Sequence, residues 1–227
     1  MAVIIRERVN LGGSEVELPT YLPSGRLSKD DRLRAEHLDE VLRQRIPAVA
    51  HESQQTPQPT LVRQWYELGR RLRTLVDDPK LVSRADVDSG HIWLAVWYYL
   101  PDSIKPAGSP TMSEYQERQH KRKDHLSLCY EISKFEWADV AWIRRWDDWH
   151  QIAFRPGILR DKRVLIILGR TISQLSRYPS RRQFRQIVKI LGETFPTRSL
   201  RDSSVLSTDS LESAVMDAVA QALTLPD

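Results

Sequence analysis

Prolines divide most of this sequence into segments whose apolar residues recur every three or four positions, as they do on one face of an α-helix. The dividing prolines are Pro47, Pro101, Pro156, Pro179 and Pro196. Because proline lacks a backbone donor and crowds the preceding turn, we expect each of them to end a helix. The pattern predicts a mainly α protein with a compact multi-helix domain, and 41% hydrophobic content in 227 residues is enough for a sizeable core.

The N-terminus departs from this helical spacing. Residues 2–9 and 15–18 have strand-like patterns, and Asn10-Leu11-Gly12-Gly13 between them is a turn sequence. We therefore predict a β-hairpin over residues 1–25. Two strands alone are marginally stable, so the hairpin must pack on the helices, pair with another strand or dock on a partner.

The C-terminus forms the third predicted part of the chain. A helical domain is expected over residues 26–197, followed over residues 198–227 by a flexible serine-rich linker and a short acidic amphipathic helix. Leu211, Val215, Val219 and Ala222 would share one face of that helix. We predict that the hairpin and this last helix contact protein partners.

Cap residues and prolines set the other helix boundaries. Ser28 is expected to cap a helix that ends at Pro47, and Thr60 to cap the next. Residues 91–100 are apolar on all sides and predict a buried helix capped by Ser89, with a buried strand as the alternative. Further helices are expected over Ser113 to Lys134, Trp137 to Phe154, Leu159 to Arg177 and Arg181 to Phe195.

Positive charge is concentrated in one segment. Between residues 155 and 198, eleven basic residues are opposed only by Asp161 and Glu193, which gives a net charge of +9. Residues 199–227 carry −4 and residues 1–154 carry −1, within a total of +4. A local positive excess attracts polyanions, of which nucleic acid is the commonest. We therefore predict binding to the phosphate backbone of DNA or RNA, as a subunit of a larger nucleoprotein complex.

The sharpest candidate site is the predicted helix after Ser180. Arg181, Arg185 and Lys189 form a stripe on it, and Arg182 adds a second arginine to its first turn. First turns ordinarily favour acidic residues, because their amide groups point outwards with partial positive charge. A phosphate held by these amides and two guanidinium groups would account for the arginines. The alternative is a solvated basic face whose charges pair elsewhere in the fold.

A secondary basic patch is predicted between His120 and His125, where three cationic residues follow one another. The full set of predicted nucleic-acid contacts is Arg155, Arg160, Lys162, Arg163, Arg177, Arg181, Arg182, Arg185, Lys189, Lys121, Arg122 and Lys123.

Three tryptophans are expected to form a core seam. Trp142, Trp146 and Trp149 would lie within about 60° of one another on a single helix. Aromatic rings near arginines can stack on unpaired bases, but rings of this size are usually buried, so the core interpretation is favoured. Arg144 and Arg145 would then project away from the seam or pair with Asp148.

A non-enzymatic role without metal or cofactor is the preferred reading. The sequence has no phosphate-binding glycine loop and no H-E-x-x-H pattern. One alternative function is a protein–protein adaptor whose basic face docks on an acidic partner. A weaker alternative is a metal-dependent nuclease that uses Asp124 and Glu131.

Cysteine usage and hydropathy indicate the compartment. Cys129 is the only cysteine, so an intramolecular disulfide is impossible and an intracellular, cytoplasmic location is expected. The sequence has no apolar run of about 18 residues and no signal-peptide pattern at Met1, which predicts no membrane segment.

Overall fold

The computed structural model describes residues 2–55, 61–101, 104, 115–154, 161–195 and 207–226. Within these residues the chain forms ten helices and one two-stranded antiparallel sheet. The prediction of a mainly α protein with an N-terminal hairpin and a C-terminal helix is therefore confirmed. The chain divides into two compact units, Met1–Tyr130 and Glu131–Asp227.

The first unit contains the hairpin and the first five helices, of which the fifth crosses into the second unit. Its elements are β1 (Val3–Leu11), β2 (Ser14–Leu22), α1 (Lys29–Gln55), α2 (Leu61–Val76), α3 (Arg84–Ser89), α4 (His91–Tyr99) and α5 (Tyr115–Ile132), whose last two residues belong to the second unit. The second unit continues with α6 (Trp137–Val140), α7 (Trp146–Phe154), α8 (Lys162–Ser173), α9 (Arg181–Thr194) and α10 (Thr208–Leu223). None of the described helices is long and apolar enough to cross a membrane.

The hairpin turns where the sequence predicts. Gly12 and Gly13 close it with positive φ angles of 62° and 90°. A two-residue type I′ turn requires positive φ at both central positions. The start of β1 is buried and contacts α1 and α4. Arg6 donates to the buried carboxylate of Asp39 on α1 at 2.7 Å, and Tyr99 on α4 donates to the same group at 2.7 Å. These bonds hold the hairpin on the helices, whereas β2 stays exposed from Ser14 to Thr20.

Two expectations for the first unit are wrong. Pro47 lies inside α1, which begins after the predicted cap Ser28 and continues to Gln55. Ile46 and Ala50 are fully buried on either side, so core packing holds the helix through the proline. Ser89 does not cap α4: it ends the short helix α3, and Gly90 in the left-handed region takes the N-cap position.

Residues 91–99 form a helix, which confirms the predicted helix and not the alternative strand. Trp93 and Trp97 on it are buried among the core residues of the unit. The predicted apolar face of α2 is also confirmed, because Trp65, Leu68 and Leu72 are buried. The cap residue predicted for α2, Thr60, lies outside the described residues.

The helix predicted from Trp137 to Phe154 is interrupted. It stops at Val140 and resumes at Trp146, because the Trp142 indole turns back and donates to the Asp139 carbonyl at 2.8 Å. The indole lies on Gly169 of α8, where an added Cβ would come within 2.4 Å of the ring. The three tryptophans therefore do not share one helix face, although Trp149 is fully buried.

The acidic helix α10 packs against both the basic helix α9 and helix α8. A capping box starts α9: Ser180 accepts from the Gln183 amide, and the Gln183 side chain accepts from the Ser180 amide. The predicted apolar face of α10 is buried, including Leu211 and Val215. Residues 196–206, which contain most of the predicted linker, lie outside the described part of the chain.

Candidate nucleic-acid interface

Four cationic side chains share the exposed face of α9. Phe184, Ile187, Val188 and Leu191 are buried on one side of the helix, which turns the opposite side to solvent. At 100° per residue, Arg181, Arg182, Arg185 and Lys189 fall within a sector of about 100° on that side. All four are exposed. We call these four residues the α9 basic stripe.

The start of α9 offers fewer backbone donors than the sequence suggests. The Gln183 amide already donates to Ser180 Oγ at 3.2 Å, and the Ser180 amide donates to Gln183 Oε1 at 2.9 Å. The Gln183 side chain, itself fully buried, also donates to the Leu225 carbonyl at 2.9 Å. An anion at this helix start would therefore be held chiefly by guanidinium groups.

Acidic residues from several parts of the second unit neutralise much of the basic segment. The ion pairs are Lys162 with Asp139, Arg163 with Asp161, Arg170 with Glu212, Arg181 with Asp147 and Lys189 with Glu193. The Arg181 pair is 3.3 Å long between exposed side chains and the Lys189 pair is 3.8 Å, so water and salt screen both. Within the described part of the chain, Arg182 and Arg185 have no ion pair.

A cluster around Tyr178 escaped the sequence prediction. The Arg144 and Arg145 guanidinium carbons lie 5.3 Å and 5.0 Å from the centre of the Tyr178 ring. Arg145 also binds the buried Asp148 carboxylate through two bonds of 2.7 Å and 3.1 Å. This confirms the expectation that Arg145 pairs with Asp148. No local spacing connects Tyr178 to two arginines more than thirty positions earlier, so only the fold brings them together.

Electrostatics at this cluster follow from its burial. Burial raises the pKa of the Asp148 carboxyl, and the hydrogen bonds from Arg145 and Tyr178 oppose that rise. The pKa of the Tyr178 phenol is raised as well, first by burial and then by the neighbouring Asp148 carboxylate. The phenol therefore stays a neutral donor at physiological pH. The Tyr178 ring also stacks on the core residue Phe184, with ring centres 6.3 Å apart.

A small pocket of about 100 Å³ adjoins this cluster, where α8 ends. It is lined by Trp142, Arg144, Ile172, Ser173, Leu175, Ser176, Arg177 and Tyr178. Of these residues, only Arg177 belongs to the predicted contact set, because the others carry no charge or lie outside the basic segment.

The other predicted contacts lie outside the described residues or in the first unit. Arg155 and Arg160 lie outside the described residues, as do the side chains of Lys121 and Arg122. Lys123 is half-buried and its aliphatic chain covers Gly90 in the first unit.

The two carboxylates of the nuclease alternative, Asp124 and Glu131, both lie on α5. Asp124 is exposed, and Glu131 pairs with Lys134 at 2.7 Å. Among the described residues, no group of three or more His, Cys, Asp or Glu side chains is placed to hold a metal ion.

No protein-family model, curated protein or solved structure matches this chain.

Proposed function

We propose that this chain is a non-enzymatic protein that binds the phosphate backbone of DNA or RNA through the α9 basic stripe. The observation that carries the proposal is the exposure of Arg182 and Arg185, which have no ion pair among the described residues and share their helix face with two further cations. Guanidinium groups pair with phosphate oxygens through two parallel hydrogen bonds, which suits them to this ligand.

The length of the stripe sets the size of the contact. Lys189 follows Arg181 by eight positions, which is about 12 Å along a helix. Over that length of duplex axis one strand presents about three to four phosphates, since one phosphate of each strand recurs every ~3.4 Å of B-DNA axis. Because phosphates carry no base information, binding through the stripe is expected to be independent of sequence and sensitive to salt.

An acidic protein surface is the second candidate ligand. Five carboxylates of this chain already pair with basic residues of the segment 155–198, so the same cations suit carboxylate groups as well. In that case the protein would act as an adaptor. The two functions differ in how a nucleic acid and a polycarboxylate compete for the stripe.

A charge-reversal experiment tests the proposal. A labelled oligonucleotide of about 30 nucleotides is titrated at low and at physiological salt against the wild type and the double variant Arg182→Glu with Arg185→Glu. The matched control reverses Arg34 and Arg45, which are exposed on α1 and give the same change in net charge. We expect the stripe variant to lose binding and the control to keep it.

Two results would contradict the nucleic-acid function. One is the absence of binding by the wild type at low salt, and the other is equal binding by the stripe and control variants. Polyglutamate that displaces the oligonucleotide at matched charge concentration would instead support the adaptor function.

The proposed place in a larger complex rests on surfaces outside the stripe. Residues Ser14 to Thr20 of β2 are exposed, and Val16 and Leu18 among them present apolar side chains to solvent. On α10 the buried face is used by its own unit, and Met216 is exposed on the outside.

The single cysteine, Cys129, is a buried free thiol, which suits the reducing intracellular compartment that the sequence predicts.

A further inference from the structure

The pocket at the end of α8 has rigid aromatic walls. The Trp142 indole is fixed by its hydrogen bond to the Asp139 carbonyl and by the close approach of Gly169. The Tyr178 ring is fixed by the bond of its phenol to Asp148. A site whose walls are already held in place loses little conformational entropy when a ligand enters.

Two arginines and two serines are among the residues that line this pocket: Arg144, Arg177, Ser173 and Ser176. Their side chains carry guanidinium and hydroxyl groups, which can donate hydrogen bonds. None of the eight described lining residues carries a carboxylate, and the nearby Asp148 is already bound by Arg145 and Tyr178. This set of groups favours a small anion with several acceptor oxygens.

Size restricts the ligand further. A volume of about 100 Å³ is well below that of sites which enclose a whole small molecule, roughly 300–1,000 Å³. The pocket therefore has room for one group of a larger ligand. A phosphate group meets both conditions, because it is compact and offers acceptor oxygens to two arginines at once.

We propose that this pocket binds one phosphate group of a nucleic-acid strand that continues along the α9 basic stripe. The inference rests on the proposed function, because the strand is the ligand assigned to that stripe. Arg177 precedes Arg181 by only four residues, so the pocket and the stripe lie close enough in the chain to hold neighbouring phosphates of one strand. The pocket adds a fixed anchoring point to an otherwise open electrostatic contact.

The first test uses inorganic phosphate as the probe. The Trp142 indole N–H signal, assigned by its loss in Trp142→Phe, is followed by NMR during titration with phosphate and, separately, with chloride at equal ionic strength. We expect phosphate to shift this signal in the wild type and not in the double variant Arg144→Gln with Arg177→Gln. Equal shifts with chloride and phosphate would overturn the phosphate site.

The second test uses the oligonucleotide. The same Gln variant is expected to bind about tenfold more weakly and to show a salt dependence reduced by about one phosphate contact per lost cation. The charge-matched control, Arg34→Gln with Arg45→Gln, should bind as the wild type does. Thermal melting of each variant shows whether the fold is kept.

A milder variant keeps the inference testable if Arg144→Gln disturbs the Tyr178 cluster. Ser173→Ala with Ser176→Ala removes two hydroxyl donors and leaves both arginines in place, with an expected loss of about fivefold. Unchanged oligonucleotide binding in both the serine and the arginine variants would overturn the pocket and leave the function of the stripe standing. A phosphate-dependent Trp142 shift without any oligonucleotide binding would instead overturn the assignment to nucleic acid and point to free phosphate.

Discussion

The phenol of Tyr178 donates a hydrogen bond to the buried carboxylate of Asp148, 3.0 Å away. The two residues are 30 positions apart, and the bond joins the segment before α9 to the first turn of α7. Asp148 receives its other side-chain bonds from Arg145. This one contact therefore helps to position the ring that lies against two arginines and lines the pocket.

Tyr178→Phe is expected to destabilise the protein by about 1–2 kcal/mol, because it removes a hydrogen bond to a buried charged group while keeping the ring. The free energy of unfolding in denaturant at neutral pH measures the change. An unchanged free energy would show that the carboxylate is satisfied by Arg145 alone.

Asp148 should titrate above its ordinary range, because burial raises its pKa. A carboxyl whose pKa is higher in the folded than in the unfolded protein adds stability at low pH, and this contribution is lost as pH rises through the folded pKa. NMR titration of the side chain should show the raised pKa, and a further rise in Tyr178→Phe, which removes an opposing bond. A pKa at or below the ordinary value would contradict this account.

Gly169→Ala should destabilise the protein by about 1–3 kcal/mol despite the better helix propensity of alanine, because the new methyl group would overlap the Trp142 indole. Gly192→Ala is the matched control on a neighbouring helix. Nothing lies within 4 Å of a Cβ at Gly192, so this change should stabilise by up to about 1 kcal/mol. Chemical denaturation of both variants decides between them, and equal effects would contradict the close contact.

Leu211→Ala is expected to cost about 2–5 kcal/mol, because the side chain is fully buried where α10 packs on its own unit. Met216→Ala, on the outside of the same helix, should change stability by less than about 0.5 kcal/mol. Deletion of residues 199–227 should likewise lower the melting temperature. A deletion that melts like the full chain would mean that α10 contributes nothing to the unit on which it packs.

Pro47→Ala should stabilise the protein, by up to about 3 kcal/mol, because an exposed position inside α1 regains its backbone hydrogen bond and loses the clash of the ring with the preceding turn. Thermal melting checks the direction. A lower melting temperature would show that the proline ring is part of the packing around α1.

Local signals account for what the sequence predicted correctly. Ser180 and the apolar spacing from Phe184 onwards define α9, and the predicted helix from Arg181 to Phe195 differs from the observed one by one residue. The buried face of α9 also follows from that spacing. The interruption after Val140 could not be predicted, because nothing in the local spacing shows that the Trp142 indole bonds to the Asp139 carbonyl and lies on Gly169 of another helix.

Ion pairs between distant residues are likewise not visible in local spacing. Residues 155–198 carry a net charge of +9, but Arg181 pairs with Asp147 from an earlier helix. The fold thus reduces a broad basic segment to a narrower surface centred on Arg182 and Arg185.

The bond from the buried Gln183 side chain to the Leu225 carbonyl has a practical consequence for experiments. It holds Leu225, just after α10, against the first turn of α9, so a tag fused at the C-terminus would begin close to the start of that helix. A polyhistidine tag there would add cationic or metal-binding groups near Arg181 and Arg182. A tag at the other end would be joined to Ala2 and Val3, which are fully buried, so binding is best measured with the tag removed.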